Sequence, residues 1–167
     1  MDAMSAVTIR PKEPGDRDWV LRFLRDRWGS ERQVANGEVS FPADHPGLVA
    51  LLDGTPVGLL TYRMDGESCE ITLIDSGTQH AGIGTALLGA AERVARTAGC
   101  IRLWLVTTND NLNALRFYQR RGFVLTALRP NALENSRRLK PEIPPVGDYG
   151  IPLRDELELE KRLLPGS

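Results

Sequence analysis

The stretch Gln79-His80-Ala81-Gly82-Ile83-Gly84-Thr85-Ala86-Leu87-Leu88 decides how the rest of this chain is read. An apolar, strand-like run, Ile71-Thr72-Leu73-Ile74, precedes it, and a helix-like run from Ala86 to Ala98 follows. Glycine at that junction lets the backbone turn sharply and lets a ligand come close. The start of a helix also offers N–H groups without internal partners and the positive end of the dipole. Strand, glycine loop and helix therefore build an anion site from main chain alone. A phosphate is the expected anion.

Three readings of the loop compete. A nucleotide-triphosphate loop needs Gly-Lys-Ser/Thr at the helix start. Here Gly84 is followed by Thr85 without a lysine, so that reading is rejected. A dinucleotide fingerprint needs a third glycine and an acid at the end of the next strand. Position 87 is leucine, and 104–107 holds no acid, so that reading is weak. The third reading is a tight turn with no ligand at all.

Working outward from the loop, period-2 and period-3.6 patterns divide the chain. Val7 to Arg10 reads as a strand, and a helix follows over 17–28, with Trp19, Val20, Phe23, Leu24 and Trp28 at helical spacing. Residues 29–46 are polar and read as irregular. Strands at 48–52 and 57–64 flank a turn, and Asp65-Gly66 turns into a third strand over 67–75. After the loop helix come a strand at 101–106, a short helix at 112–121, a strand at 123–128, a short helix at 131–140 and a proline-bearing link. A final strand at 153–163 alternates strictly, which predicts one face in water. Hairpins first and strand–helix–strand units later predict an α/β fold. It has a central mixed sheet of about seven strands with helices on both faces.

The totals fit one soluble domain. The chain has 167 residues, 41% of them apolar and 26% charged, with a net charge of −1. It lacks the positive charge that would draw it to nucleic acid or an anionic membrane. Arg120-Arg121 and Arg137-Arg138 read as solvated helix faces. Two cysteines, Cys69 and Cys100, sit among apolar residues and read as core thiols in a reducing compartment. Two Cys and two His give no metal-ligand pattern, so no metal is expected. No apolar run approaches the ~18 residues of a membrane span, and the first residues do not resemble a signal peptide. A cytoplasmic protein is expected.

The second motif identifies the anion. It reads Asn109-Asp110-Asn111-Leu112-Asn113-Ala114-Leu115-Arg116-Phe117-Tyr118, then Arg120-Arg121-Gly122-Phe123. With it, the chain resembles the GNAT superfamily of acetyl-CoA-dependent N-acetyltransferases. Gln79, Gly82 and Gly84 match the first signature of that family. Asn111, Ala114, Tyr118, Gly122 and Phe123 match the second. The resemblance covers about residues 6–128 in strand and helix order; it implies that 1–167 is a single GNAT-like domain and that acetyl-CoA is the co-substrate. It further implies that Gln79, His80, Ala81, Gly82, Ile83, Gly84 and Thr85 wrap the coenzyme A pyrophosphate. The pantetheine arm would pair with the backbone near Leu73 and Ile74, Asn111 would contact the cofactor, and Tyr118 would sit near the thioester sulfur.

Acetyl transfer to an amine needs a base, an oxyanion donor and an acid for the leaving thiolate. Tyr118 is the expected acid; its other reading is a core tyrosine. Glu70 is the expected base, directly or through water, because a carboxylate on a central strand is costly unless paired or used. Its other reading is a structural ion pair with an arginine. Strict alternation places Glu70, Thr72 and Ile74 on one face and Cys69, Ile71, Leu73 and Asp75 on the other. A backbone N–H near Ile74 is the expected oxyanion donor. His80 would line the cofactor, and His45 is expected in solvent. The segments 29–46 and 130–152 are expected to shape the acceptor pocket, with surface packing or a homodimer contact as the plainer account. The acceptor would be a small-molecule or peptide amine, attacked directly in a ternary complex. A silent acyl-CoA-binding module that recruits a partner is the alternative.

Overall fold

Apolar runs of five to eleven residues, broken by glycine turns, fold into one mixed seven-stranded sheet. The computed structural model describes residues 6–77 and 82–163. Strand β1 (Val7–Pro11) leads to helix α1 (Arg17–Trp28). A hairpin of β2 (Gln33–Ala35) and β3 (Glu38–Ser40) follows, and then β4 (Gly47–Leu52), β5 (Thr55–Asp65) and β6 (Ser68–Asp75). Helix α2 (Ile83–Thr97) and strand β7 (Arg102–Thr108) come next, then α3 (Leu112–Arg120) and β8 (Val124–Arg129). Helix α4 (Ala132–Leu139) and strand β9 (Glu156–Arg162) complete the described chain.

The sheet order is β1-β4-β5-β6-β7-β9-β8. Only β6 and β7 are parallel; every other pair is antiparallel. Helices cover both faces, as the sequence predicts. On one face α1 buries Val20 and Leu24 against Val49, Leu59 and Leu73. On the other, α2 and α3 bury Ile83, Leu87, Ala91 and Tyr118 against Leu60, Ile71, Leu103 and Leu159.

Two expectations fail. Residues 29–46 are not irregular: β2 and β3 form a hairpin whose turn, Asn36-Gly37, has positive φ at both residues (54° and 76°). That pair is a strong turn signal, but strands of three residues carry too little alternation to be seen. The final strand is shorter than expected and is not half in water. It is inserted between β7 and β8, and its polar face is an ion-pair layer. Arg102 bonds to both Glu158 and Glu160, and Arg129 bonds to Glu158 at 2.8 Å. Alternation reports two unlike faces; it does not distinguish water from paired charge.

The inserted position makes a prediction. Leu159 is fully buried. Leu159→Ala should lower unfolding free energy by about 2–5 kcal/mol, read from a urea midpoint. An edge strand would lose far less.

Candidate functional site

Strands β6 and β7 bond over only three rows, Ser68 with Arg102, Cys69 with Leu103 and Glu70 with Trp104. Beyond Glu70 they part. On its other edge β6 stays paired with β5 up to Asp75. The register on that side slips: Thr61 faces Leu73 and Tyr62 faces Ile71, so Thr72 is an extra residue. Such a bulge bends and twists the strand locally. It also breaks the alternation expected from sequence. Ile71 packs on the α2 side and Leu73 on the α1 side.

The parted strands enclose a cleft of about 230 Å³. Its walls are 71–74 of β6 and 105–108 of β7, with Asn111 and Tyr118 on the α3 side. Trp28, the β2 residues and Glu156 close the α1 side. Backbone groups on the cleft edge of β6 have no strand partner, so an extended chain of amides can pair there.

The start of α2 lies beside the end of β6, next to the last cleft-lining residue of that strand: a Cβ on Gly58 would stand 3.0 Å from the Ile83 side chain and 3.1 Å from the Asp75 carbonyl. The first internal bond of α2 is from Ala86 N–H to Gly82 C=O, at 2.9 Å. The N–H groups of Ile83, Gly84 and Thr85 therefore lack helical acceptors, and no acidic side chain lies in the first turn. Gly82 has φ 105°, which side chains rarely tolerate. At Gly84 a Cβ would stand 3.3 Å from the Phe117 ring, so glycine keeps α2 and α3 close. Thr85 Oγ1 accepts from Arg121 Nε at 3.1 Å and Nη2 at 2.8 Å, and that guanidinium lies 3.8 Å over the Phe117 ring. Arg121 is thus a fixed cation beside the helix start and not part of a solvated face. Arg137 is likewise held, by the carbonyls of Ile143, Pro144 and Leu153. Gln79, His80 and Ala81 lie outside the described residues.

Tyr118 is 6% exposed and meets Phe117 and Phe123 edge-on, with ring centroids 5.2 and 5.5 Å away. Burial pushes its phenol pKa up, so the group stays protonated and can donate. Leu73 and Ile74 lie on the open edge. Asn111 lies at the cleft as well, but its amide is engaged: Oδ1 accepts from Ala114 N–H at 3.2 Å, capping α3, and Nδ2 donates to Thr107 Oγ1 at 3.3 Å.

Glu70 stands apart from these groups. Its carboxylate accepts from Arg63 Nη2 at 2.8 Å, and Arg63 also approaches Glu38 at 3.6 Å. Glu70 lines a neighbouring space of about 30 Å³ under the hairpin, which shares Gln33, Ile71 and Thr72 with the cleft. His45 is half-buried, with Nδ1 2.9 Å from Thr72 Oγ1, which is 2.7 Å from Thr61 Oγ1. Burial, with Arg63 and Lys12 nearby, lowers its pKa. It is not the solvent group that the sequence suggests.

Glu156 escapes the sequence reading entirely. It looks like one more polar residue of an alternating strand, yet it is 3% exposed, lines the cleft and accepts from Asn36 N–H at 3.0 Å. That bond ties the hairpin tip to β9. Lys140 Nζ, bonded to the Arg32 carbonyl at 3.1 Å, ties the late segment to the same hairpin. The two variable segments thus meet over one side of the cleft. Among the described residues no group of three or more His, Cys, Asp and Glu side chains is placed to hold a metal, and no helix is long and apolar enough to cross a membrane.

Comparisons agree with this geometry. Residues 17–123 match the acetyltransferase (GNAT) family. The uncharacterized protein YdhI of Bacillus subtilis is 44% identical over 93% of this chain and 98% of its own length. A streptothricin acetyltransferase of Streptomyces lavendulae is 32% identical over 69% of this chain and 62% of its own. A GNAT family acetyltransferase of Elizabethkingia anophelis, solved with acetyl-CoA bound, shares the fold. Its TM-score is 0.70 at 23% identity, covering 94% of this chain and 98% of that one.

Gly82→Ala places a side chain at φ 105°. It should lower stability by about 1–2 kcal/mol in urea titration and weaken coenzyme A binding in calorimetry. Gly150→Ala, also at positive φ but remote from α2, should carry only the first effect.

Proposed function

The chain belongs to the GNAT acetyltransferase family, and on that premise we propose that it transfers acetyl from acetyl-CoA to a primary amine, by direct attack in a ternary complex. The observation that carries this reading is the position of Tyr118, a buried, protonated phenol in a cleft one of whose walls is an unpaired strand edge. The residues present fit the co-substrate. The N–H groups of 83–85, which have no helical acceptors, and the guanidinium of Arg121 suit a pyrophosphate. The edge at Leu73 and Ile74 suits the amides of a pantetheine arm. Gln79, His80 and Ala81 would complete the phosphate loop, and Asn111 would hold the turn that places α3. When bound there, acetyl-CoA supplies an acyl group activated as a thioester.

The chain's own groups then handle protons and charge. The nitrogen lone pair of the amine forms the new C–N bond, and the C–S bond breaks. The amine first gives one proton to a base through water, which frees that lone pair; the leaving sulfur takes a proton from Tyr118, and the second N–H proton, released as the amide forms, restores the Tyr118 phenol. We assign the base role to Glu70 acting through water, because the small space it lines adjoins the cleft. Its ion pair with Arg63 holds it oriented rather than in contact with the amine. A backbone N–H near Ile74 on the open edge would meet the oxyanion. Neither cysteine suits a covalent carrier. Both are buried away from the cleft, and burial pushes the Cys69 thiol up to about 12.

Tyr118→Phe should cut kcat by about 100-fold or more while leaving the KM for acetyl-CoA within a few-fold, by steady-state thiol release. Unchanged turnover would remove the acid role. In the folded protein, Cys69 and Cys100 should resist iodoacetamide near neutral pH, and acetyl-CoA pretreatment should leave no acetyl group on the chain by intact mass. A transferable acetyl-enzyme would contradict direct attack.

A further inference from the structure

We infer that Glu156 is the docking point for the ammonium group of the acceptor, so that the substrate of this cleft is an amine that arrives as a cation. The inference rests on the acetyltransferase reading and adds the acceptor's charge to it. Strand β9 supplies its own control. Glu156, Glu158 and Glu160 alternate on one face of one strand. Glu158 is held by Arg102 and Arg129, and Glu160 by Arg102. Glu156, the deepest of the three at 3% exposed, has no such partner. Among the described residues no Lys, Arg or His nitrogen lies within 4.0 Å of its carboxylate. Its register neighbour Arg129 turns to Glu158 instead, and leaves its own Nη1 buried without a hydrogen bond. Among the described residues, Asn36 N–H is the one hydrogen-bond partner of the Glu156 carboxylate. A buried carboxylate with so little compensation is costly unless a ligand supplies the charge.

Two further observations place that charge on a ligand in the cleft, and a third shows that the ligand would also carry an acceptor. Of these three glutamates, Glu156 alone lines the cleft that also holds Tyr118. Gln33, on the hairpin strand across from it, has a buried Nε2 with no hydrogen-bond partner and lines the same cleft; as a donor it calls for an acceptor elsewhere on the ligand, beside the cation that Glu156 calls for. Trp28 completes this side. Its ring is fixed by Nε1–H donating to Asp75 at 2.9 Å, and an aromatic face favours a cation over a neutral group. The α1 side of the cleft is therefore anionic and aromatic. The α2 side, with the N–H groups of its first turn and Arg121, favours anions. The two substrates of one transfer reaction would be sorted by charge before they meet.

The plainer role for Glu156 is to pin the hairpin through Asn36. Glu156→Gln separates the two, because the amide keeps an oxygen for that N–H and loses only the charge. The experiment uses the full chain loaded with coenzyme A and measures binding of matched pairs, putrescine against 1,4-butanediol and benzylamine against benzyl alcohol, by ligand-observed NMR titration. The wild type should prefer each amine by about ten-fold or more, the scale of one charge-assisted hydrogen bond. Glu156→Gln should bind amine and alcohol alike, with coenzyme A affinity unchanged. Glu156→Asp, which retains the charge, should keep part of the preference, and this holds the test open if the glutamine variant folds poorly. Equal binding of amine and alcohol by the wild type, or a preference that survives in Glu156→Gln, would overturn the inference. Failure of the wild type to bind coenzyme A would instead overturn the acetyltransferase reading on which it rests.

Discussion

After Glu70 the two central parallel strands stop bonding to each other, and every feature of the site follows from that break. A continuous sheet would bury the edges of β6 and β7 in a ladder and leave no room between them. The extra residue at Thr72 bends β6 away just past its last bond to β7. Strand β5 continues to hold the far edge of β6, so the strand stays rigid while its near edge stays open. The gap passes through the sheet and therefore joins two environments. One side belongs to α2 and α3, the other to α1 and the β2–β3 hairpin.

Those two sides carry opposite electrostatics for separate structural reasons. The positive side is made by backbone: a helix begins at a glycine with φ 105°, and its first N–H groups have no helical acceptors. The rest of the positive charge comes from Arg121, which is held by Thr85 and Phe117 and so cannot swing into solvent freely. The negative side is made by a strand inserted late. Strand β9 enters between β7 and β8, so its acidic face lies beneath the hairpin and the segment that follows β8. Two of its three glutamates stabilise the sheet through Arg102 and Arg129. The third is left for the cleft. Structure and site thus draw on one repeating pattern, divided by which residue has an arginine within reach.

The sequence made much of this legible. The glycine loop before a helix and the Asn111 to Phe123 run carry geometry that depends on near neighbours, and near neighbours are what a sequence shows. The seven strands and the helices on both faces followed from period alone. Three things did not. The bulge at Thr72 has no residue signature, because it arises from a mismatch with β5, so the predicted faces of β6 reverse after Ile71. The insertion of β9 is a matter of topology: strict alternation of Leu and Glu fits an edge strand as well as a strand flanked by arginines. The roles of Glu70 and Glu156 depended on that topology. Glu70 has Arg63 across the hairpin and sits beside the cleft; Glu156 has no cation and sits in it. The β2–β3 hairpin was missed as well: three-residue strands beside Asn36-Gly37 show too little alternation, so 29–46 read as irregular.

The central claim is that the parted β6–β7 edge and the start of α2 together hold acetyl-CoA. Backbone amide shifts recorded during an acetyl-CoA titration of the labelled protein test it most directly. The largest shifts should fall at Leu73, Ile74, Ile83, Gly84 and Thr85, with Asn111 and Tyr118 following at the same saturation point. Saturable shifts centred anywhere other than this cleft, or none at all, would contradict the account.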